Sequence, residues 1–552
     1  MKKSAFLFVV LCVVLGGAIF LFQLRQREPV RSIARPVPRL NVALPDADDA
    51  TAAATLPATT IDPRARSLVE SLQRLLARRD RRAREALLTF KDDAALRQFL
   101  ARAPQAGLTI LGQLDGLRTV RVGYGDLGAL QRELIDHAAD YESVGANQLV
   151  SIPQVPAKEN RAPVDQVPFG NDTLAFLGAT GDRSQWGRGT TIAILDTGVA
   201  SDVTFGAGRL RALDIGLGLS PGRGTDDGHG TSVAALAAGL APDAAGVAPA
   251  ANLLSIRVTD ANGVSDMFTV SQAILAAVDA GAKIVNISLG GYSTSATLSA
   301  AIAYATERGA VIVAAAGNDQ AAQLAWPAAD ARVVSVGAVD KAEQQVSFSN
   351  SGAQLKLSAP GYGVQTAWLD GQRAYVDGTS AAAPLVAGAI AAVVSQNPSL
   401  TPQQAAQLLA RTASDAGAPG ADAAFGAGIL NLGWTMNSGN PGYIDTAISS
   451  HYFDAANGQM LFVVQNRSSQ TVAGLSLNVA VGAGSTVTAH PVPLLAAGES
   501  YVVKVPAGPE VFRQAPEIRF GTQLANPVGL NDKVPANNRR ASVLSAPAPM
   551  PD

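Results

Sequence analysis

The stretch Thr191-Ile192-Ala193-Ile194-Leu195-Asp196-Thr197-Gly198 decides how this chain is read. An uninterrupted apolar run is the mark of a strand buried on both faces, and here it ends on a carboxylate followed by a turn glycine. Outward from it the pattern recurs. Leu253 to Val258, Lys283 to Ile287, Ala310 to Ala314 and Val333 to Val336 are further strand-like runs, alternating with helical patterns. Alternation of this kind predicts an α/β fold with a mainly parallel, doubly wound sheet over 167–437. In such sheets reacting groups collect at the carboxyl ends of the strands, where loops and helix N-termini converge. The polar residues at those ends are therefore the candidates for chemistry.

The rest of the chain is built differently. At 552 residues it is several times the size of one ordinary domain. Hydrophobic residues make up 47% and charged residues 16%, enough apolar surface for sizeable cores. A formal net charge of -2, from 43 basic and 45 acidic residues, gives no electrostatic ground for a nucleic-acid partner. The single cysteine, Cys12, excludes both an intrachain disulfide and a thiolate zinc site.

Met1-Lys2-Lys3 precedes an apolar run from Ala5 to Phe22, about 18 residues, at the lower edge of what spans a bilayer as a helix. Residues 1–27 are read as an export segment, either a cleaved signal peptide or a retained membrane anchor. Residues 28–62, rich in Pro, Ala, Thr and Asp without periodicity, read as a disordered linker. Arg64 to Glu85 carries Leu68, Leu72, Leu75 and Leu76 at helical spacing with arginines opposite, which predicts a solvated basic helix. Then come a strand (Leu87 to Phe90), a helix (Asp92 to Arg102), a strand pair (Leu108 to Val122), a helix (Leu127 to Tyr141) and a strand (Leu149 to Val155). That β-α-β-β-α-β order predicts a ferredoxin-like α+β unit, so 63–156 is taken as one leader domain and 157–166 as an exposed connector placed for cutting. After Trp434, short β-type runs (Met460 to Gln465, Leu475 to Val481, Ser485 to Val492, Ser500 to Val505, Glu517 to Phe520) predict a β-sandwich over 438–545. A disordered tail, 546–552, would follow.

Three residues of the central region carry little weight singly. Asp196 could be a turn or cap residue, His229 in Asp227-Gly228-His229-Gly230-Thr231-Ser232 a structural histidine, and Ser380 in Gly378-Thr379-Ser380-Ala381 a helix N-cap. Together they supply a complete reaction. A serine hydroxyl is a weak nucleophile at neutral pH and needs an imidazole to take its proton; the imidazole needs a carboxylate to fix its tautomer and stabilise its cation. Asn318, after the run ending Ala314-Ala315-Ala316-Gly317, can aim a side-chain amide at a developing oxyanion.

At this point the chain resembles the subtilisin-like serine proteases. Asp196-Thr197-Gly198, His229-Gly230-Thr231, Asn286-Ile287-Ser288-Leu289-Gly290, Ala315-Ala316-Gly317-Asn318 and Gly378-Thr379-Ser380 occur in that family's order and with family-like spacing. The resemblance implies a serine endopeptidase made as a zymogen, with Asp196, His229, Ser380 and Asn318 catalytic. It implies that Ser288, Leu289 and Gly290, with the strand around Gly263-Val264-Ser265, bind the substrate backbone as an added strand. Ala315, Ala316 and Gly317 would wall the first specificity pocket, small and apolar, with Asp319 the one acid nearby. It implies that the leader is a propeptide, an intramolecular inhibitor and folding aid, removed by self-processing between about Pro153 and Pro168. Partners would be protein or peptide substrates, plus a membrane if the N-terminus is retained; the enzyme would face the extracytoplasmic side or be released. No cofactor is required for the chemistry. The loop Leu240 to Ala245, with Asp243 its one acid, is short for the family's usual calcium loop, which leaves structural calcium without support. Ala381, Ser232 and Leu385 depart from common family residues without touching a catalytic role. The competing reading is a silent protease-like scaffold whose C-terminal module does the binding.

Overall fold

The computed structural model describes residues 62–156, 165–216, 228–482, 487–507 and 517–545. The export segment, the linker up to residue 61, residues 157–164 of the connector and the 546–552 tail lie outside the described residues.

The central sheet has seven strands, all parallel, in the spatial order 357–360, 334–339, 311–315, 284–287, 191–196, 252–257, 210–212. The strand read first from the sequence is therefore the one around which the chain reverses: it lies between 284–287 and 252–257, and the crevice at its carboxyl end is where such sheets hold reacting groups. Side-chain alternation divides the core in two. Ile192 and Ile194 pack with the helices His229–Ala238 and Thr379–Gln396 on one face. Ala193 and Leu195 pack with Met267–Asp279 and Ala296–Glu307 on the other. Two edge strands, Leu210–Ala212 and Leu357–Pro360, were not expected from the sequence: three and four residues long, they are too short to show a period.

The leader forms a four-stranded antiparallel sheet, 108–114, 119–124, 81–90, 141–151, extended by the pairing of its last strand with Val264–Asp266 of the central region. Four sequence-based boundaries need correction. The basic helix ends at Leu76 rather than Glu85, and it is not merely solvated: Val69, Leu72 and Leu76 enter the leader's core. Residues 81–90 form the first strand instead, because Ala86, Leu88 and Phe90 reach that core while the buried Arg81 donates from Nε to the Leu76 carbonyl at 2.7 Å. The helix expected to reach Tyr141 stops at Asp136, and the last strand starts at Tyr141 rather than Leu149. Tyr141, Val144 and Ala146 are core residues, and burying them outweighs the continuation of a helical pattern.

Beyond the central region lie two antiparallel sheets, one of 446–454, 459–466 and 500–506, the other of 487–491, 476–481, 517–525 and 539–545. Both contribute to a single apolar cluster that includes Phe462, Val464, Leu477, Val479 and Phe520. The strands Thr446–Asp454 and Arg539–Ser545 were absent from the sequence reading; polar residues such as Ser449, Ser450 and Arg540 obscure their alternation.

Candidate active site

Strand parity puts the first group in place. Asp196 follows Ile192 and Ile194 at the two-residue period, so its side chain turns to the face that carries the helix beginning at His229. His229 Nδ1 lies 2.8 Å from Asp196 Oδ1 and 3.0 Å from Oδ2. The carboxylate is fully buried and also accepts from the Thr197 amide at 2.7 Å, so it is held from two sides. Thr197 Oγ1 accepts from the Gly230 amide at 3.0 Å, tying the strand's end to the helix start. Gly230 has no freedom to change: a Cβ there would stand 2.2 Å from the Gly198 carbonyl oxygen.

Ser380 is the second residue of the Thr379–Gln396 helix on the same face, almost fully buried. Gly378 before it has φ 136°, a conformation L side chains rarely adopt, and a Cβ there would meet Ser380 Oγ at 2.9 Å and Asn318 Nδ2 at 3.0 Å. Those two atoms therefore border the same small space.

Asn318 is oriented by Thr379. Its Oδ1 accepts from the Thr379 amide and from Thr379 Oγ1, both at 2.9 Å, which leaves Nδ2 as the outward-facing donor. Thr379 Oγ1 also accepts from the Gly317 amide at 3.1 Å. Nδ2 donates to the Pro153 carbonyl of the leader at 2.8 Å.

A further anchor sits beneath Ser380. Pro384 lies four residues on in the helix and has no N–H to give the Ser380 carbonyl. Ser288 Oγ donates to that carbonyl at 3.3 Å and accepts from Asn286 Nδ2 at 3.1 Å. Of these groups Thr379, Asn286 and Pro384 were assigned no role from the sequence. Pro384, six residues into a long apolar helix, was the one visible signal.

The leader's last strand runs into this site as an added strand. Leu149, Val150 and Ser151 pair antiparallel with Asp266, Ser265 and Val264. On the other side, Ser151 and Gly290 exchange backbone hydrogen bonds. Gly290 thus meets the leader directly, Ser288 meets Ser380, and Gly317 meets Thr379. Leu289 and Ala316 are buried in one half of the core and Ala315 in the other. Asp319 is not a free acid: Tyr292 Oη donates to it while accepting from Asn350 Nδ2 at 2.7 Å, and burial, reinforced by that carboxylate, pushes the Tyr292 phenol well above its ordinary value.

Among the described residues no three histidine, cysteine or acidic side chains converge as a metal site. Asp243, the acid of the short loop, is paired with Arg373, 3.0 Å between Oδ2 and Nε, and Arg373 also meets Asp202. That donor set does not fit a calcium ion, and no step of the chemistry is routed through one.

Comparison with known proteins agrees with this architecture. The model of the subtilase family, Peptidase_S8, matches residues 187–428. Over 288 residues the chain is 35% identical to the thermostable alkaline protease of Halalkalibacterium halodurans, an overlap that covers 51% of this chain and 77% of that protein. Over 270 residues it is 37% identical to subtilisin Savinase of Lederbergia lenta, covering 48% of this chain and 97% of the relative. Among solved structures, fervidolysin from Fervidobacterium pennivorans superimposes with a TM-score of 0.54 at 19% identity, over 81% of this chain and 87% of that one, a likeness of fold. A parallel sheet of this kind, in a chain so close to alkaline proteases, defines a serine endopeptidase whose substrates are proteins. The chain belongs to the subtilase family.

Proposed function

We propose that the chain is an exported zymogen of a subtilisin-like endopeptidase that cleaves through an acyl-enzyme formed on Ser380. In this reading Ser380 Oγ adds to the scissile carbonyl as His229 takes its proton. Asp196, bonded to Nδ1, keeps the proton-accepting face of the ring towards the serine and stabilises the imidazolium that forms. Asn318 Nδ2 and the Ser380 backbone amide receive the oxyanion at the start of a helix, whose dipole favours the charge. His229 then passes the proton to the leaving amine, and water repeats the sequence on the ester. No cofactor is invoked.

The observation that carries the reading is the placement of a peptide carbonyl, that of Pro153, on Asn318 Nδ2 at 2.8 Å by a chain segment already paired as a strand. Backbone pairing on both sides of 149–152 is sequence-tolerant, which suits a broad substrate range with the small Ala315-Ala316-Gly317 stretch beside it. Residues 63–156 are the propeptide in this account, inhibitor and folding aid, and 438–545 a β-sandwich appended to the enzyme. Export is supported by Met1-Lys2-Lys3 and the apolar run that follows, with the enzyme either tethered by it or released.

The test is self-processing. Full-length protein is followed by intact mass beside Ser380→Ala. Two chains separated within 153–168 in wild type and one intact chain in the variant are expected; equal cutting of both would overturn the reading.

A further inference from the structure

The leader enters the cleft in a defined register. The Ser151 amide donates to the Gly290 carbonyl at 3.0 Å and the Gly290 amide to the Ser151 carbonyl at 2.8 Å, so the two residues form a doubly bonded pair of an antiparallel ladder. In such a ladder the next doubly bonded pair lies two residues further along each strand, which here is Pro153 opposite Ser288. That rung needs an N–H from the leader to the Ser288 carbonyl. Proline has none. Everything around the missing rung is made: the Ile152 amide donates across the strand to the Gly263 carbonyl at 3.0 Å, and Asn318 Nδ2 holds the Pro153 carbonyl at 2.8 Å. The ring fits as well, since even a Cβ added to Gly290 would stand 3.9 Å from Pro153 Cγ. The bond presented to the site is thus Pro153–Gln154, and its acyl residue is of the one type unable to complete the ladder.

We propose that Pro153 makes the leader a slow substrate of its own protease: seated in substrate register but cut reluctantly at Pro153–Gln154, so that inhibition outlasts folding. The proposal rests on the catalytic reading of Ser380 and Asn318. The step itself is ordinary acyl transfer. Ser380 Oγ bonds to the Pro153 carbonyl carbon as its proton passes to His229; the C–N bond to Gln154 breaks and the new amine takes that proton; water then releases the Pro153 carboxylate and restores the serine. A rung absent beside the scissile carbonyl leaves it less firmly aligned with the nucleophile, and alignment is what this step depends on. Pro153 is a substrate-side determinant, distinct from the enzyme's own groups.

The experiment compares the full-length wild type with Pro153→Ala and Pro153→Ser, each of which restores the N–H, following the first cut by intact mass. Cutting at 153–154 about tenfold faster in both variants is expected, equivalent to ~1.4 kcal/mol. The same substitutions in a Ser380→Ala background, melted beside their parent, show whether the leader still docks. A variant that melts like its parent yet is cut no faster than wild type overturns the proposal. So does wild-type cutting at a different bond, or no cutting in any chain. Failure of the catalytic reading looks different: Ser380→Ala would then be cut as its parent is.

Discussion

The central region is held by two seams, and they are built on different principles. Against the leader the contact has two parts: an apolar patch in which Leu87, Leu114 and Leu117 pack with Phe268 and Leu275, and a backbone ladder that ends on Asn318, flanked by ion pairs such as Arg82 Nε on the buried Asp266 at 3.1 Å. Against the C-terminal sheets it is made of side chains. Gln465 Oε1 accepts from the Asp415 amide at 3.3 Å and from the buried Arg467; Ser450 Oγ donates to the Gly417 carbonyl at 2.7 Å; Arg540 pairs with Glu343. A backbone ladder accepts nearly any peptide of the right direction, whereas interlocked side chains accept one partner. The ladder at the end of the first seam therefore suits a site open to many strands, while the leader's apolar patch and the second seam are each fitted to one partner. Substitutions at the first should alter turnover, and those at the second stability.

The largest effect expected is at the site the leader's ladder reaches, from Asp196→Asn. It keeps the shape but allows the wrong imidazole tautomer, and peptide hydrolysis by the processed enzyme should fall about 10⁴-fold with the melting temperature little changed. A variant retaining a tenth of its kcat/KM would show that His229 does not depend on this carboxylate. Asn318→Ala should cost about 10²–10³ in kcat. Because Nδ2 also holds Pro153, it should in addition weaken inhibition by separately added leader. A loss in kcat with unchanged leader inhibition would separate the two roles that the geometry unites.

On the other side the prediction is a pH dependence. Burial in the seam, with Asp422 adding to it and Arg467 and the Gly420 amide opposing, raises the Asp415 carboxyl to about 6. Its folded value lies above that of a free aspartate, so the native chain holds the proton more tightly than the unfolded chain. Stability from this group is complete below about pH 4, falls as pH rises to about 6, and stays reduced above that, by at most about 3 kcal/mol. Asp415→Asn in a Ser380→Ala background should therefore melt higher than its parent at pH 8, with the gap closing towards pH 4. A gap that is the same at both pH values would contradict this. The smallest effect should come from Thr379→Val, which removes one of two donors to Asn318 Oδ1 while keeping the amide. A loss of about tenfold in kcat is expected, with KM nearly unchanged.

What the sequence disclosed follows the same division. Asp196, His229, Ser380 and Asn318 became legible only as a set, since each alone reads as a turn, core or cap residue and the reaction is complete only when they are taken together. Thr379 and Asn286 lie within the quoted motifs but gained no role there, since each acts through another residue's oxygen and looks like an ordinary helix or strand residue; Pro384 was visible only as a proline inside an apolar helix. The buried strands 191–196 and 311–315 were plain, as continuous β-branched and apolar runs. The strand 141–151 was misplaced because its first residues prolong a helical pattern, and only the tertiary burial of Tyr141 decides between the two. The pairing of Tyr292, Asn350 and Asp319 joins residues distant in sequence and leaves no local trace.

The central claim is that Ser380 is activated by His229. It is met most directly by treating processed enzyme with a fluorophosphonate and mapping the adduct by mass spectrometry. A single adduct on Ser380 is expected, lost or slowed by orders of magnitude in His229→Ala. An unmodified Ser380 in protein freed of its leader, or equal labelling with and without the histidine, would contradict it.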